Sequence, residues 1–572
     1  MKRKIVTDLV NFKEIIEKNI LYVDKTDFIE ELLNTGSYVV SIARPRRFGK
    51  TLNMSMLSYF FDINNGEENR ELFKDLKIEK SACFSEQGQY PVINMTFKSL
   101  KSRNWEECYE GIVSLIKREY ARHQYLLNSE QLSKKEKEAY EQVLDLKASK
   151  IEYGFSLLDL SEYLHKHHGK KVVVLIDEFD TPVIEGELKG YFEEVSDFME
   201  ILLGEALKNN GNIRKGVVTG ITRLQGAGIF SGVNSARNCT IFNASFKDKF
   251  GFTEKEVKDL LKEYSIEEKE DNVRKHYNGY NFMGEVIYNP FSVLSYIDTG
   301  ELENFWLSSS RNDLARKKIE ALLEMKGDET LRKEVEDLLQ GKRVKIEVEE
   351  ALTIREKMKS EEIFNLLLHS GYLKYENYEK IPEETSQAEV SIPNLEIKAI
   401  YKKTISEWIK SQYTKDEIGE LKKFLGVVCE GEELEIKKRL ERYLDRRSLL
   451  DGERVLEMGY HNFLFGMLQG LEGRYMLNSN RESGDGRFDI MLTPINNKEK
   501  KEGQRSGVII ELKVGEKGKL KSLSEGALKQ IEEKKYFKRL EGSGVKRVRL
   551  IGIAFNKKDV EVSLKEIGLV EK

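Results

Sequence analysis

Along the first 300 or so residues, short apolar runs alternate with stretches of helical spacing. This is the pattern of a parallel sheet wrapped by helices. The candidate strands are Tyr38 to Ala43, Val92 to Phe97, Val172 to Ile176 and Gly216 to Thr219. Between the second and third, residues from Trp105 to Lys150 are charged and helical, an insertion of hairpin helices. Thr253-Glu254-Lys255-Glu256 is a capping box that opens a helix through Leu261. From Glu301 to Leu440 the pattern turns mainly helical and acidic. Within it, Ile363 to Leu368 followed by Ser370-Gly371-Tyr372-Leu373 reads as a helix entering a small winged-helix unit, and Glu376 to Ser386 as a loop. Beyond Leu450 a helix (Tyr460 to Leu471) precedes strands Phe488 to Leu492 and Val508 to Leu512, joined by the polar hairpin loop Asn496 to Gly507. A helix from Leu523 to Leu540 and a strand from Val548 to Ala554 follow. The expected organisation is therefore 1–300, 301–440 and 441–572.

Length and composition narrow the class. A chain of 572 residues exceeds a single hydrophobic core. With 40% hydrophobic residues, 34% charged and 7 prolines, it is globular and helix-rich, which excludes collagen-like and wholly disordered classes. No apolar run approaches the ~20 residues of a membrane span. The basic start Met1-Lys2-Arg3-Lys4 is followed by Asp8, Lys13 and Glu14, which interrupt any signal-peptide core, so a cytoplasmic protein without a membrane is expected. Four cysteines (Cys83, Cys108, Cys239, Cys429) show no CxxC spacing, against a disulfide framework or zinc knuckle. The net charge of −4 hides an asymmetry: residues 451–572 carry about +5, and Ser506 to Lys558 alone about +8. A basic surface at one end suits phosphate, though a solvated face gives the same count.

The sharpest motif is Arg44-Pro45-Arg46-Arg47-Phe48-Gly49-Lys50-Thr51, between a strand and a helix starting near Leu52. It fits the phosphate-cradling GxxxxGK[ST] pattern except that Arg44 occupies the first glycine's place. In that chemistry Gly49 lets the backbone approach phosphate, Lys50 supplies charge and the Thr51 hydroxyl binds magnesium. Val172 to Ile176 then ends in Asp177-Glu178: the aspartate for magnesium, the glutamate to polarise water as a general base. Thr219, at the tip of the fourth strand, is placed to sense a terminal phosphate, with Arg223 adding charge, against an equal reading as simple turn chemistry. Tyr288-Asn289-Pro290 is a weaker candidate for a nucleotide contact. His165-Lys166-His167-His168 reads as a solvated loop rather than a metal site.

In the tail, Asp489 begins one strand, while Glu511 and Lys513, two apart, share a face of its partner. Charges on an otherwise apolar strand are costly without partners. A hairpin brings Asp489 beside Glu511, a pair suited to one or two magnesium ions, manganese being an alternative, with Lys513 stabilising phosphate charge. Glu482 is a further acid. Gln530 lies on a helix with Tyr536, Lys529, Lys534 and Lys535, a set suited to a phosphate backbone.

These motifs, with Tyr22-Val23-Asp24-Lys25-Thr26, Asp177-Glu178-Phe179-Asp180, Ile229-Phe230-Ser231-Gly232, Tyr277-Asn278-Gly279-Tyr280, Glu482-Ser483-Gly484 and Gly486-Arg487-Phe488-Asp489, make the chain resemble a bacterial two-domain family. In that family an AAA-ATPase-like domain precedes a PD-(D/E)XK nuclease-superfamily domain. The resemblance implies an α/β P-loop NTPase fold of the ASCE type, its phosphate-loop strand central and beside the Asp177 strand. A helical, winged-helix-like middle and a C-terminal α/β nuclease fold follow. It implies that Arg44 in place of glycine is the family's habit, and that Asp489, Glu511 and Lys513 match the nuclease core with Gln530 as accessory. The leading expectation is an ATP- and magnesium-binding hydrolase controlling a nuclease, with DNA ahead of RNA as partner and a homo-oligomer open. A nucleotide-operated switch or scaffold that binds without cutting is the alternative. A DNA-translocating motor is weaker, because it needs an arginine finger that the sequence does not identify.

Overall fold

The structure, a computed structural model, describes residues 2–208, 210–221, 236–306, 313–324, 329–339, 341–352, 358–380, 385–411, 424, 426–445, 464, 468, 475–483, 486–495, 506–541 and 545–569. The chain divides into two compact units, Met1–Tyr401 and Lys402–Lys572.

The first unit is built on a parallel sheet. In chain order it runs β1 (Val39–Ala43), α1 (Lys50–Phe61), β2 (Val92–Thr96), α2 (Trp105–Arg122), α3 (Lys134–Leu144), α4 (Lys150–His168), β3 (Val172–Asp177), α5 (Thr181–Lys189), α6 (Phe192–Leu207), β4 (Ile213–Gly220) and β5 (Ala236–Cys239). The strand order is β2-β3-β4-β1-β5, with every pairing parallel. Alternate residues feed two cores. Val40, Ile42, Val173, Leu175 and Val217 pack with Met54, Leu57 and Phe60 of α1. Val39, Val172, Val174, Ile176 and Val218 pack with Ile112, Leu160 and Phe198 from the helices of the opposite face. Both faces are covered, which is why these strands read as unbroken apolar runs. One expectation is corrected: β1 is not beside the Asp177 strand, because β4 lies between them and places the Thr219 tip between the phosphate loop and Asp177.

Next come β6 (Phe252–Thr253), α7 (Glu254–Glu263), opened by the Thr253–Glu256 capping box, β7 (Tyr280–Phe282), β8 (Glu285–Tyr288) and α8 (Pro290–Thr299). The region expected to be mainly helical also holds a sheet. It contains β9 (Val344–Val348), α9 (Ser360–His369), β10 (Lys374–Glu379) and β11 (Ser386–Ser391), with the order β10-β11-β9. In β9, buried Val344, Ile346 and Val348 alternate with exposed Lys345 and Glu347, a period of two hidden among charges. The expected loop from Glu376 is strand as far as Glu379. As an edge strand β10 buries Tyr375 and turns its polar side chains to water, so it looks loop-like in sequence. Residues 381–384 lie outside the described residues.

The unit boundary falls inside α10 (Leu395–Ser411), whose first turn carries a fully buried Glu396. In the second unit α11 (Glu433–Asp445) precedes β12 (Tyr475–Ser483), β13 (Gly486–Pro494), β14 (Gly507–Val514), α12 (Leu520–Glu533), β15 (Arg547–Asn556) and β16 (Asp559–Gly568). The sheet order is β12-β13-β14-β15-β16. Only β14 and β15 are parallel, with α12 as their crossover. At Gly552 of β15 a Cβ would lie 2.1 Å from the Ser524 carbonyl, so glycine permits α12 to lie flat on the sheet. The expected helix to Leu540 stops earlier: Lys535 takes a left-handed φ of 51°, and a short 3₁₀ turn (Tyr536–Leu540) follows. Leu464 and Leu468 are helical and buried, but the rest of the expected 460–471 helix and the 496–505 loop lie outside the described residues. No described helix is long and apolar enough to cross a membrane.

Glu396 accepts the Ser292 hydroxyl at 2.8 Å and the Trp306 N–H at 2.8 Å, tying α8 and residue 306 to α10. Burial pushes its carboxyl from 4.5 up to about 7. Between those values the folded chain keeps a proton that the unfolded chain has released, so stability falls as pH rises through the window, by roughly 3 kcal/mol across it. Glu396→Gln, which keeps an acceptor for Trp306, is expected to remove that slope. Urea midpoints on either side of the window measure it.

Candidate functional site

At the end of β1 the chain turns through the phosphate loop into α1. Gly49 precedes the helix with φ +84°, and Arg47 is also left-handed at +69°. Only glycine takes such a conformation without strain, and an added Cβ at Gly49 would meet nothing within 4 Å, so its role is backbone freedom beside an open space. The loop and the first turn of α1 present their N–H groups where an anion is favoured. Lys50 is buried and donates to the carbonyls of Arg44 and Pro45, each at 2.9 Å. Burial lowers its pKa, opposed by the charges of Glu178, Asp180 and Asp177.

Asp177 gathers the site. Its Oδ2 accepts the Thr51 hydroxyl at 2.8 Å and the Thr96 hydroxyl at 3.2 Å, and its Oδ1 accepts the Thr219 hydroxyl at 2.6 Å. Thr219 Oγ1 in turn accepts the Glu178 N–H at 3.3 Å. Thr51, Asp177, Glu178 and Thr219 are thus joined in one hydrogen-bonded cluster, with Lys50 buried on the adjoining loop. Thr96 was missed, although it sits directly opposite Asp177 in the β2–β3 register. Asp180 was noted only as part of a motif. It is fully buried, accepts the Ile221 N–H at 2.6 Å, and is pushed up to about 6 by burial.

The remaining loop residues divide. Arg44 does not turn its side chain to the phosphate side. Its guanidinium is buried and donates to the carbonyls of Ala43 (2.8 Å), Cys239 (2.9 Å), Ser245 (3.3 Å) and Phe246 (3.3 Å), against the rings of Phe250 and Phe282. Burial lowers its pKa to about 10. The residue in the glycine's place is therefore a core staple, and only its main chain belongs to the loop. Pro45 packs against Gly371, and Phe48 lies edge-on to Tyr280 at 4.9 Å. Arg46 is half-exposed; the Arg47 guanidinium lies over the Phe291 ring, 4.4 Å from its centroid. Asn289, fully buried, caps α8 by accepting the N–H groups of Phe291 (2.9 Å) and Ser292 (3.4 Å). The histidine run is the last turn of α4 rather than a loop: His168 bonds the Tyr125 hydroxyl at 2.9 Å and His167 the Ser129 hydroxyl at 2.8 Å. Arg223 and Ile229 to Gly232 lie outside the described residues.

In the second unit, β13 and β14 pair antiparallel with Ile490 opposite Ile510. This brings Asp489 to Glu511: Asp489 Oδ2 accepts the Leu512 N–H at 2.7 Å, and the Asp489 N–H donates to Glu511 at 3.4 Å. Lys513 Nζ is 3.4 Å from Glu511 Oε1. The Gln530 amide donates to the same oxygen and to the Tyr536 hydroxyl at 3.2 Å. Glu511 is 2% exposed, and burial together with the Asp489 carboxylate pushes its pKa up. Two oxygen-donor acids side by side, Glu511 buried and Asp489 partly so, fit a hard divalent cation. Thr51 with Asp177 is likewise an oxygen-only pair. The break at Lys535 turns Tyr536 inward, so the helix end that the sequence extended is what completes this cluster. Lys529 is exposed and paired with Glu533 at 3.4 Å. Glu482 lies in β12, its backbone opposite Arg487, and its side chain is outside the described residues.

If Arg44 is a staple, Arg44→Ala leaves four carbonyls short of a donor and is expected to cost about 3 kcal/mol or more in urea unfolding. A side chain serving phosphate alone leaves stability unchanged.

Comparison with known proteins agrees with this division. Residues 7–230 match the family model described as a predicted AAA-ATPase, and residues 455–564 match that of the PD-(D/E)XK nuclease superfamily. A protein of Azotobacter chroococcum mcd 1, described as an uncharacterized protein in the vnfD 5' region, is 25% identical over 310 residues. That match covers 54% of each chain, so the chain spans about half the length of this curated relative.

Proposed function

We propose that this chain, an AAA-ATPase-like domain followed by a PD-(D/E)XK nuclease-superfamily domain, hydrolyses ATP and uses its nucleotide state to control cleavage of phosphodiester bonds in nucleic acid, DNA ahead of RNA. The observation that carries the nuclease half is the buried Glu511, held by Gln530 and Lys513 beside Asp489. Removing such a carboxylate from water costs several kcal/mol, which a purely structural sheet has no reason to bear.

At the first site Lys50 exchanges the Arg44 and Pro45 carbonyls for the phosphates of ATP, and Glu178 holds the attacking water and takes its proton. Thr219 keeps Asp177 and the Glu178 main chain in register. At the second, Gln530 fixes the orientation of Glu511, and Lys513 donates to the phosphate oxygens as charge builds. Thr51 with Asp177, and Asp489 with Glu511, are the residues that would hold magnesium; the ion, or manganese at the second site, supplies positive charge to phosphate oxygens and acidifies bound water. The stretch of about +8 from Ser506 to Lys558 supports a phosphate-backbone partner.

The test is cleavage of supercoiled, linear and single-stranded DNA and of RNA, in magnesium or manganese, with and without ATP. Asp489→Ala is expected to lower cutting at least ~100-fold with ATP turnover intact, and Lys50→Ala to remove the effect of ATP. Cutting that survives Asp489→Ala contradicts the assignment. Salt-sensitive DNA binding with no cutting moves it to the switch-or-scaffold reading, which the overall charge of −4 leaves standing.

A further inference from the structure

The strand Val92-Ile93-Asn94-Met95-Thr96 buries Val92, Ile93 and Met95 and leaves Thr96 exposed at its end. It is the edge of the five-stranded sheet, so Thr96 stands at the rim of the first site. Parallel pairing sets Thr96 directly opposite Asp177, and the Phe97 N–H holds that register by donating to the Asp177 carbonyl at 2.9 Å. Paired residues turn their side chains to the same face of a sheet, which brings the Thr96 hydroxyl to the Asp177 carboxylate. Its direction is fixed locally as well. Thr96 Oγ1 accepts the Lys98 N–H at 3.4 Å and donates its own hydrogen to Asp177 Oδ2 at 3.2 Å.

The three hydroxyls on Asp177 are not equivalent. Thr51 lies in the first turn of α1, beside the phosphate loop, and its oxygen is itself a candidate ligand for the ion. Thr219 is fully buried; it donates to Asp177 Oδ1 at 2.6 Å and accepts the Glu178 N–H at 3.3 Å. It therefore joins the acid that would hold magnesium to the residue that handles the attacking water. The Thr96 side chain bonds Asp177 and Lys98, so what it fixes is the carboxylate. A carboxylate turns about its Cβ–Cγ bond. Donors on both oxygens, with Thr96 added on the oxygen that Thr51 shares, oppose that turn. Groups that hold a metal ligand without touching the metal change affinity or activity about 10–100-fold when removed.

We propose that Thr96 is a positioning residue for the divalent cation of the ATP site. Its hydroxyl sets Asp177 Oδ2 in the orientation that binds the ion, and so controls how tightly the ion is held. Thr219, tied to both Asp177 and Glu178, controls ion binding and hydrolysis together. The inference rests on the ATPase reading above and adds to it a residue of the edge strand that determines metal affinity.

The experiment uses the full chain with Asp489→Ala as background, so that the second site takes no part. The chain, in excess over a non-hydrolysable ATP analogue, is titrated with manganese, and bound ion is read from the electron paramagnetic resonance signal. Valine keeps the shape and strand preference of threonine without the hydroxyl, so Thr96→Val at this exposed strand end spares the fold. It is expected to raise the half-filling concentration about 10-fold, as is Thr96→Ala, while Thr96→Ser stays close to wild type. Binding of a fluorescent ATP analogue without metal is unchanged in all three. ATP turnover in Thr96→Val falls at limiting magnesium and recovers in excess, whereas in Thr219→Val excess magnesium does not recover it. Half-filling in Thr96→Val and Thr96→Ala equal to wild type overturns this inference alone. Two further results do the same: weakened metal-free binding, which marks a packing role, and a rate loss that excess magnesium leaves in place. A wild-type chain that neither binds nor hydrolyses ATP overturns the ATPase reading and the inference with it.

Discussion

One buried carboxylate organises the first unit. Asp177 accepts hydroxyls from Thr51 on α1, Thr96 on β2 and Thr219 on β4, so four elements meet at one charge. A carboxylate that is 2% exposed is costly to bury without such partners, and here each of its oxygens has one. The arrangement depends on β4 lying between β1 and β3. With those two strands adjacent, Thr219 loses the position from which it binds both Asp177 and the Glu178 N–H. The position of Glu178 itself, left-handed at φ +51°, follows from the same knot.

The second unit sets a comparable problem with a different solution. Glu511 is buried beside Asp489 with one lysine and one glutamine on its oxygens, and the Asp489 carboxylate adds to the cost of keeping Glu511 charged. Asp177 is met by neutral hydroxyls, whereas Glu511 shares its surroundings with a second acid, so burial costs Glu511 more.

Much of this was legible in the sequence because the signals are local. The strand runs of Val and Ile, the GxxxxGK[ST] spacing and the Thr253 capping box each depend on neighbours a few residues apart, and all lie where the pattern put them. The pair Glu511 and Lys513 was readable for the same reason. What escaped depends on long-range pairing. That β4 separates β1 from β3, that Thr96 faces Asp177, and that Arg44 spends its guanidinium on carbonyls about 200 residues away have no local signature. Polarity misled elsewhere: β9 and β10 carry charged residues on their solvent faces, and the kink at Lys535 hides in a helical composition. In each case tertiary context outweighed propensity.

The central claim is that nucleotide held at the Asp177 site governs chemistry at the Glu511 site. It is tested most directly by titrating ATP and measuring the cleavage rate and the direct binding of nucleotide in the same samples. Two linked sites require both curves to share one midpoint, with the cleavage rate changing as the nucleotide site fills. A cleavage rate that stays flat while ATP saturates the chain contradicts the account.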